Sequence, residues 1–176
     1  MKTLYSQQTR IAIIGKGNDF IFDLVSSVLE FVGKSIDLVK FGQVIRHHQK
    51  DFVMMAMDEN DELFLDYQPT LAVITDFSAS YPQFINQITS GGILIYNQND
   101  EELGHSVQNA EKYFRKIPYT TPEHQINQQQ LFLDTDLGEI AIPLRTENIS
   151  LIEASRLLCQ QLGIQEEEFY EALINY

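Results

Sequence analysis

The chain has 176 residues, 44% of them hydrophobic and 21% charged, which predicts one globular domain rather than a disordered chain. Its formal net charge of −13 and its lack of a long apolar run argue against nucleic acid and membrane as partners. A single cysteine, Cys159, excludes an internal disulfide and a cysteine-based metal site, and this favours the reducing cytoplasm.

The first predicted elements are a strand, a glycine-rich turn and a helix. Residues 10–33, RIAIIGKGNDFIFDLVSSVLEFVG, place the apolar run Ile11–Ile14 before Gly15-Lys16-Gly17, and an apolar-periodic helix starts near Asp19. In α/β proteins this order presents backbone N–H groups and a helix N-terminus to a phosphate. A working phosphate loop also needs Lys-Ser/Thr at the start of the helix. Here those two positions are Asn18 and Asp19. The strand, the turn and the helix are therefore predicted without the side chains that bind the phosphates and Mg²⁺.

Four further apolar runs predict buried strands. Their near-continuous hydrophobicity is typical of a parallel sheet covered on both faces. These strands are Ile36–Val39, Phe52–Met57, Leu71–Thr75 and Ile93–Tyr96. Helices are expected at Phe20–Phe31, Gln83–Ile88 and Asp100–Phe114. The alternation of strand and helix predicts an α/β fold in three layers with a mostly parallel, doubly wound sheet.

The pattern changes after Phe114. Leu131–Leu144 contains two short strands around a turn at residues 136–138, which predicts an antiparallel hairpin that extends the sheet. Two closing helices are expected at Ile149–Leu162 and Glu166–Asn175, with Gly163 as the C-cap of the first and Asn148 or Ser150 at its start. We therefore expect a tail over 1–9 and one domain over 10–176, divided into a parallel part (10–114), an antiparallel extension (115–145) and a helix pair (146–176).

The order of these segments resembles the central, ATP-binding domain of the Mur ligases, which add amino acids to UDP-N-acetylmuramic acid. The family's first motif is a strand, then Gly-Thr-x-Gly-Lys-Thr-Thr, then a helix that ends in a glycine. When Gly17 is aligned with the second glycine of the motif, Gly33 falls on the glycine after the helix. The turn is then one residue short. The family lysine falls on Asn18 and the following threonine on Asp19.

Residues 54–82, MMAMDENDELFLDYQPTLAVITDFSASYP, are similar to the branch that joins alanine to the muramate. The family glutamate that helps to hold Mg²⁺ falls on Ala56, the Asn of its Thr-Asn pair on Asp76, and its Asp-His pair on Ser80-Tyr81. The matching residues are Asp58, Glu59, Asp61, Phe64, Leu65, Pro69 and Thr75.

Residues 145–173 are similar to the family's His-Asn-x-x-Asn-Ala segment and the helix pair that follows it. Asn148 is retained, whereas the histidine falls on Glu147 and the second asparagine on Leu151. The resemblance covers nearly the whole chain. It implies a truncated, degenerate copy of the central domain, without the flanking domains that bind the UDP-sugar and the incoming amino acid.

The resemblance implies a reaction that the substituted residues do not support. Family ligases form an acyl phosphate from ATP, and this depends on cations and a metal that neutralise the transferring phosphoryl group. Asp19 would cap the helix and repel a phosphate. We therefore interpret Gly15–Asp19 as a degenerate phosphate loop, and we expect that ATP and Mg²⁺ binding is lost, with no catalytic residue and no metal site.

Polar side chains after two strands are the remaining ligand candidates. Asp58, with its acidic neighbours Glu59, Asp61 and Glu62, could hold a hard cation through oxygen ligands, but such a run is more typical of a solvated loop. Asp76 and Ser80 follow the next strand, at the edge where α/β clefts form. Together with Asn148 they complete the predicted cleft. The histidines are dispersed, and Cys159 is expected in the core.

Three hypotheses remain open. The first is a non-catalytic domain that acts by binding a protein partner or a second copy of itself. The alternative is an enzyme or nucleotide-binding protein that uses the cleft of Gly15, Asn18, Asp19, Asp58 and Asp76 with altered chemistry. The third is an evolutionary remnant that keeps the fold and little function.

Overall fold

The structure is a computed structural model that describes residue 5 and residues 7–47, 51–128, 130–143 and 148–176. Part of the predicted tail over 1–9 lies outside the described residues, as do His48 and Glu147. Thr9 already belongs to the first strand.

The core of the fold is a seven-stranded sheet in the order β3-β2-β4-β1-β5-β6-β7. Its strands are β1 (Thr9–Ile14), β2 (Asp37–Lys40), β3 (Gln43–Arg46), β4 (Phe52–Ala56), β5 (Leu71–Ile74), β6 (Ile93–Asn97) and β7 (Arg115–Tyr119). Neighbouring strands run parallel except at β3, which pairs antiparallel with β2. The predicted mostly parallel sheet is confirmed, and β3 is an edge strand that the sequence did not indicate.

Helices cover both faces of this sheet, which confirms the three layers. In the described residues the helices are α1 (Asn18–Phe31), α2 (Tyr81–Ile85), α3 (Glu101–Gln108), α4 (Ile149–Gln161) and α5 (Glu166–Ile174). In β1, Ile11 and Ile13 pack into the core that contains α1, α4 and α5, whereas Ala12 and Ile14 pack into the core that contains α2 and α3. Successive side chains of a strand point to opposite faces, so a strand buried on both faces is apolar at every position.

The predicted hairpin is confirmed as β9 (Gln130–Thr135) and β10 (Gly138–Ile142). With β8 (His124–Asn127) it forms a separate three-stranded antiparallel sheet, rather than joining the main sheet. Leu131 and Leu133 of β9 are buried in the same core as α4 and α5, so the small sheet covers that side of the domain. The edge of the main sheet is taken instead by β7, which pairs parallel with β6.

The closing helices begin at the predicted residues, and each ends one residue before its predicted end. Gly163 has φ +75° immediately after α4, a left-handed conformation that suits glycine, and the Ile164 N–H donates to the Cys159 carbonyl (3.1 Å). Asn148 precedes α4, although its side chain makes no capping hydrogen bond. Cys159 is fully buried, as expected, and burial raises the pKa of its thiol to about 12. In the part of the chain that is described, no helix has the length and apolarity needed to cross a membrane.

Candidate functional site

The glycine turn joins β1 to α1 at the carboxyl edge of the sheet. Gly15 and Gly17 have φ values of +98° and +80°, which side chains rarely adopt. The Asn18 N–H donates to the Gly15 carbonyl (3.2 Å), and this bond closes the turn just before α1 begins. The turn therefore lies at the start of a 14-residue helix, where α/β proteins can bind a phosphate.

A carboxylate from the neighbouring strand occupies this turn. Asp76, two residues after β5, accepts the Lys16 N–H through Oδ1 (3.1 Å), and the Thr75 hydroxyl donates to the Lys16 carbonyl (2.9 Å). A Cβ atom added to Gly15 would overlap both Asp76 Oδ1 and Thr75 Oγ1. The chain thus supplies its own anion to one of the N–H groups that a phosphate would use.

The opposite side of the turn is covered by an apolar side chain. A Cβ atom added to Gly17 would lie 2.5 Å from Leu151 Cδ1, so the first turn of α4 packs directly on the glycine. Leu151 stands where the resemblance expects a family asparagine. The backbone next to Gly17 is therefore in contact with a hydrocarbon group instead of a polar one.

The two residues that replace the family Lys-Thr pair have different environments. Asn18 is 8% exposed, and its Nδ2 donates to the Met57 carbonyl (2.9 Å), so this side chain ties α1 to the end of β4. Asp19 is exposed and is the second residue of α1. The expectation that Asp19 caps this helix is wrong, because the position before α1 is Gly17, which has no side chain to act as a cap.

The acidic run after β4 forms a turn stabilised by its own carboxylates. Asp61 accepts the Asp58 N–H (2.7 Å), and Asp58 accepts the Asn60 N–H (2.8 Å). Glu59 instead reaches the start of α2, where it accepts the hydroxyls of Ser78 (2.7 Å) and Ser80 (2.6 Å). Within the described ranges, no group of three or more His, Cys, Asp or Glu side chains is arranged to hold a metal ion.

These hydroxyl contacts give a testable pH dependence. The hydrogen bond from Ser80, and then the one from Ser78, lowers the pKa of the Glu59 carboxyl below its ordinary value. The bonds therefore favour the folded state above the ordinary glutamate pKa, and this contribution is lost as the pH falls through the lowered value. We expect the double substitution Ser78→Ala/Ser80→Ala to raise the pKa of Glu59 towards its ordinary value. An NMR titration of the carboxyl carbon measures this, and an unchanged pKa would contradict the two contacts.

Two tyrosines near the turn have raised pKa values, chiefly because they are buried. Burial raises the pKa of Tyr81 to about 12, with further contributions from Asp76, Glu59 and Asp58. The pKa of Tyr119 is also raised, first by burial and then by Asp76. Among the described residues, the Tyr119 hydroxyl is the one buried side-chain polar atom without a hydrogen-bond partner.

The structure brings some of the predicted site residues together and separates others. Gly15–Asp19 and Asp76 form one contiguous site. Ser80 belongs to the contact with Glu59, and Asp58 is exposed in the acidic turn. Asn148 precedes α4, the helix whose Leu151 packs on the glycine turn.

Two polar groups at the same edge of the sheet were missed. Asn97 is the last residue of β6, and its Nδ2 donates to the Thr75 carbonyl (3.0 Å). The rule that selected Asp76, a polar residue where a parallel strand ends, would have found Asn97 as well. The Tyr119 hydroxyl had no such signal, because the lack of a partner is a property of the folded state.

Comparisons with known proteins identify the fold. No protein-family model and no curated protein matches the chain. Among solved structures, it is similar to the UDP-N-acetylmuramoylalanyl-D-glutamyl-2,6-diaminopimelate–D-alanyl-D-alanyl ligase from Acinetobacter baumannii, with 15% identity and a TM-score of 0.71 over 98% of this chain and 47% of that one. It is also similar to the murein peptide ligase from Psychrobacter arcticus, with 11% identity and a TM-score of 0.73 over 99% of this chain and 48% of that one.

A third similar structure is folylpolyglutamate synthetase from Lactobacillus casei, with 10% identity, a TM-score of 0.58, and coverage of 95% of this chain and 62% of that one. The chain spans about half the length of the two cell-wall ligases. At these identities the likeness shows the fold alone. The chain therefore has a Mur ligase-like α/β fold, and ligases with different substrates share that fold.

Proposed function

We propose that this chain is a degenerate Mur ligase-like domain that acts by binding, not by ATP-dependent ligation. The observation that carries the proposal is the Asp76 carboxylate on the Lys16 N–H, inside the glycine turn. A phosphate placed there would have to displace a carboxylate that is already hydrogen-bonded, and would then remain beside it. Repulsion between like charges opposes that arrangement.

The neighbouring side chains support the same proposal. In the family, the lysine and threonine of the loop supply a cation and a Mg²⁺ ligand, whereas Asn18 supplies no cation and Asp19 adds a negative charge at the threonine position. The Asn18 amide is used internally, and Leu151 covers Gly17. Ala56, at the position of the family's Mg²⁺ glutamate, is fully buried, and its methyl side chain carries no ligand atom. We infer that nucleotide and Mg²⁺ binding has been lost. We also infer from residues 54–82 that the chain is related to the muramate–alanine branch.

A second candidate function is residual nucleotide binding by the same cleft. The unpartnered Tyr119 hydroxyl and the exposed Lys16 favour it, because each could donate to a ligand oxygen. In this case Lys16 would have to reach the ligand from a position before the second glycine, rather than after it.

Thermal unfolding with ATP, ADP or a UDP-sugar, each with and without Mg²⁺, distinguishes the two candidates. A ligand at 100 times its Kd adds about 2.7 kcal/mol to the free energy of unfolding. For a chain of this size, that corresponds to a rise in Tm of roughly 5–11 °C. We expect no rise with any of these ligands. A rise with Mg-ATP that disappears in Lys16→Ala would instead establish the nucleotide-binding alternative.

A further inference from the structure

A cavity of about 300 Å³ lies where the small antiparallel sheet meets the closing helices. It is lined by the end of β7, the β9–β10 turn, and residues of α4 and α5. This volume is at the lower end of the range for small-molecule sites. The residues of the glycine turn do not line it, so the cavity is separate from the candidate site at that turn.

The charged groups that line this cavity are mostly carboxylates. Asp134 and Asp136 come from the hairpin, Glu153 from α4 and Glu166 from the start of α5. The one cation in the described lining is Arg156, and Glu153 already binds it, because its Nε and Nη2 donate to the two carboxylate oxygens (2.9 and 2.7 Å). With four carboxylates and one guanidinium, the described lining has a formal charge of −3. This charge favours a cationic ligand over an anionic one.

A buried hydroxyl is directed into the same cavity. Tyr170 is 5% exposed, and its hydroxyl makes no hydrogen bond with a described residue, although the hydroxyl of a buried tyrosine usually has a partner. Unlike that of Tyr119, this hydroxyl is not sealed from solvent. Burial raises the pKa of Tyr170 to about 12, and the charged groups that also act on this pKa all line the cavity: Arg156, Glu153, Glu166 and Asp136. The hydroxyl therefore lies among these charges and is available to a ligand.

The free acceptors in the cavity match an ammonium group. A primary ammonium has three N–H donors and no acceptor, and carboxylate and phenol oxygens can accept from it. Glu166 keeps acceptor capacity, since its carboxylate lies 3.8 Å from Arg156 Nη1, too far for a hydrogen bond. The carboxylates of the described chain are not arranged to hold a metal ion, so an organic cation suits this lining better. Carbon atoms of Pro118, which also lines the cavity, suit the hydrocarbon part of such a ligand.

We propose that this cavity binds a small organic cation with primary ammonium groups, and that Glu166, Asp136 and the Tyr170 hydroxyl accept its hydrogen bonds. Glu153 and Arg156 neutralise each other and form the wall beside these acceptors. The proposal goes beyond the non-catalytic role under "Proposed function". It uses none of the residues of the glycine turn, so it can fail or succeed whether or not nucleotide binding has been lost.

An NMR titration of the full wild-type chain with 1,4-diaminobutane tests the site. Salt at about 0.15 M limits the range of non-specific attraction to the acidic chain to about 8 Å. We expect saturable shifts of the amides at 134–136, 153–156 and 166–170, and no shifts at 15–19. We expect no binding of 1,4-butanediol, which has the same length without charge, or of succinate, which has the opposite charge. No saturation with the diamine, equal binding of the diol or the dianion, or shifts confined to other residues would overturn the proposal.

Matched substitutions on α5 separate this site from the net charge of the chain. Glu166→Gln removes a lining carboxylate, and Glu171→Gln removes the same charge from an exposed position of the helix that does not line the cavity. We expect about tenfold weaker binding of 1,4-diaminobutane by Glu166→Gln, and a change of no more than about twofold in Glu171→Gln. Equal weakening by both would mean that net charge alone attracts the diamine, and would overturn the proposal.

Tyr170→Phe removes the hydroxyl and keeps the ring in its place. Loss of one hydrogen bond to a charged group is expected to weaken diamine binding about tenfold. An unchanged affinity would show that the hydroxyl does not contact the ligand, and the proposed acceptor set would be wrong. Circular dichroism checks that each variant is folded. If one is not, the positions of the shifts on the wild-type chain still decide between this cavity and another surface.

Discussion

Replacing Phe84 with alanine is expected to lower the free energy of unfolding by about 4 kcal/mol, because it removes a large side chain from a closed core. Phe84 is fully buried and stacks on Phe64 with 4.9 Å between the ring centroids. Phe64 in turn contacts the Tyr81 ring at 6.1 Å. These rings connect α2 to the segment after β4. For a chain of this size, the loss corresponds to a fall in Tm of roughly 8–16 °C.

Chemical denaturation of Phe84→Ala beside Phe84→Leu separates the cavity from the loss of an aromatic ring. Leucine fills most of the volume, so we expect Phe84→Leu to cost only about 1–2 kcal/mol. The pKa of the Glu59 carboxyl gives a local measure of the damage. Ser78 and Ser80, which donate to this carboxylate, immediately precede Tyr81 at the start of α2. A cost below about 1.5 kcal/mol for Phe84→Ala would mean that the surrounding helices collapse into the space.

Much of the fold could be predicted because its strands are buried on both faces. β1, β4 and β5 are apolar at nearly every position, and only a sheet covered on two sides requires that pattern. β3 has the opposite character: its residues 43–45 are exposed, and it is held by pairing with β2. The pattern of β7 is equally weak, because an edge strand with polar exposed positions resembles a loop.

The candidate site was predictable in its chain positions and not in its contacts. The strand, the two glycines and the helix indicate a phosphate-type turn, and the end of β5 indicates a cleft residue at Asp76. That the carboxylate turns inward onto Lys16, rather than outward to a ligand, depends on the alignment of β1 beside β5. The packing of Leu151 on Gly17 joins residues 134 positions apart, and no local pattern encodes such a contact.

Replacing Gly15 with alanine is expected to cost about 4 kcal/mol, because two unfavourable effects add. Its φ of +98° strains any side chain by roughly 1–3 kcal/mol. The added Cβ also overlaps Asp76 Oδ1 and Thr75 Oγ1, and overpacking of this kind typically costs a further 1–3 kcal/mol. Urea denaturation of the purified variant beside the wild type measures the sum.

Gly33→Ala is the matched control for this substitution. Gly33 has φ +70° after α1, but a Cβ atom there would meet nothing within 4 Å, so only the backbone strain applies and about 1 kcal/mol is expected. The Asp76→Ala substitution is then combined with Gly15→Ala and, separately, with Gly33→Ala. Without the carboxylate, Gly15→Ala should recover roughly 1 kcal/mol of its cost, whereas Gly33→Ala should recover none.

The comparison bears directly on the proposed loss of ligase chemistry. If Gly15→Ala costs no more than Gly33→Ala, the turn has room beside Gly15 and the Asp76 carboxylate does not fill it. A phosphate could then enter the turn, and the main physical reason for proposing a non-catalytic domain would be gone. If the excess cost appears and depends on Asp76, the carboxylate occupies the space next to the N–H groups that a phosphate would need.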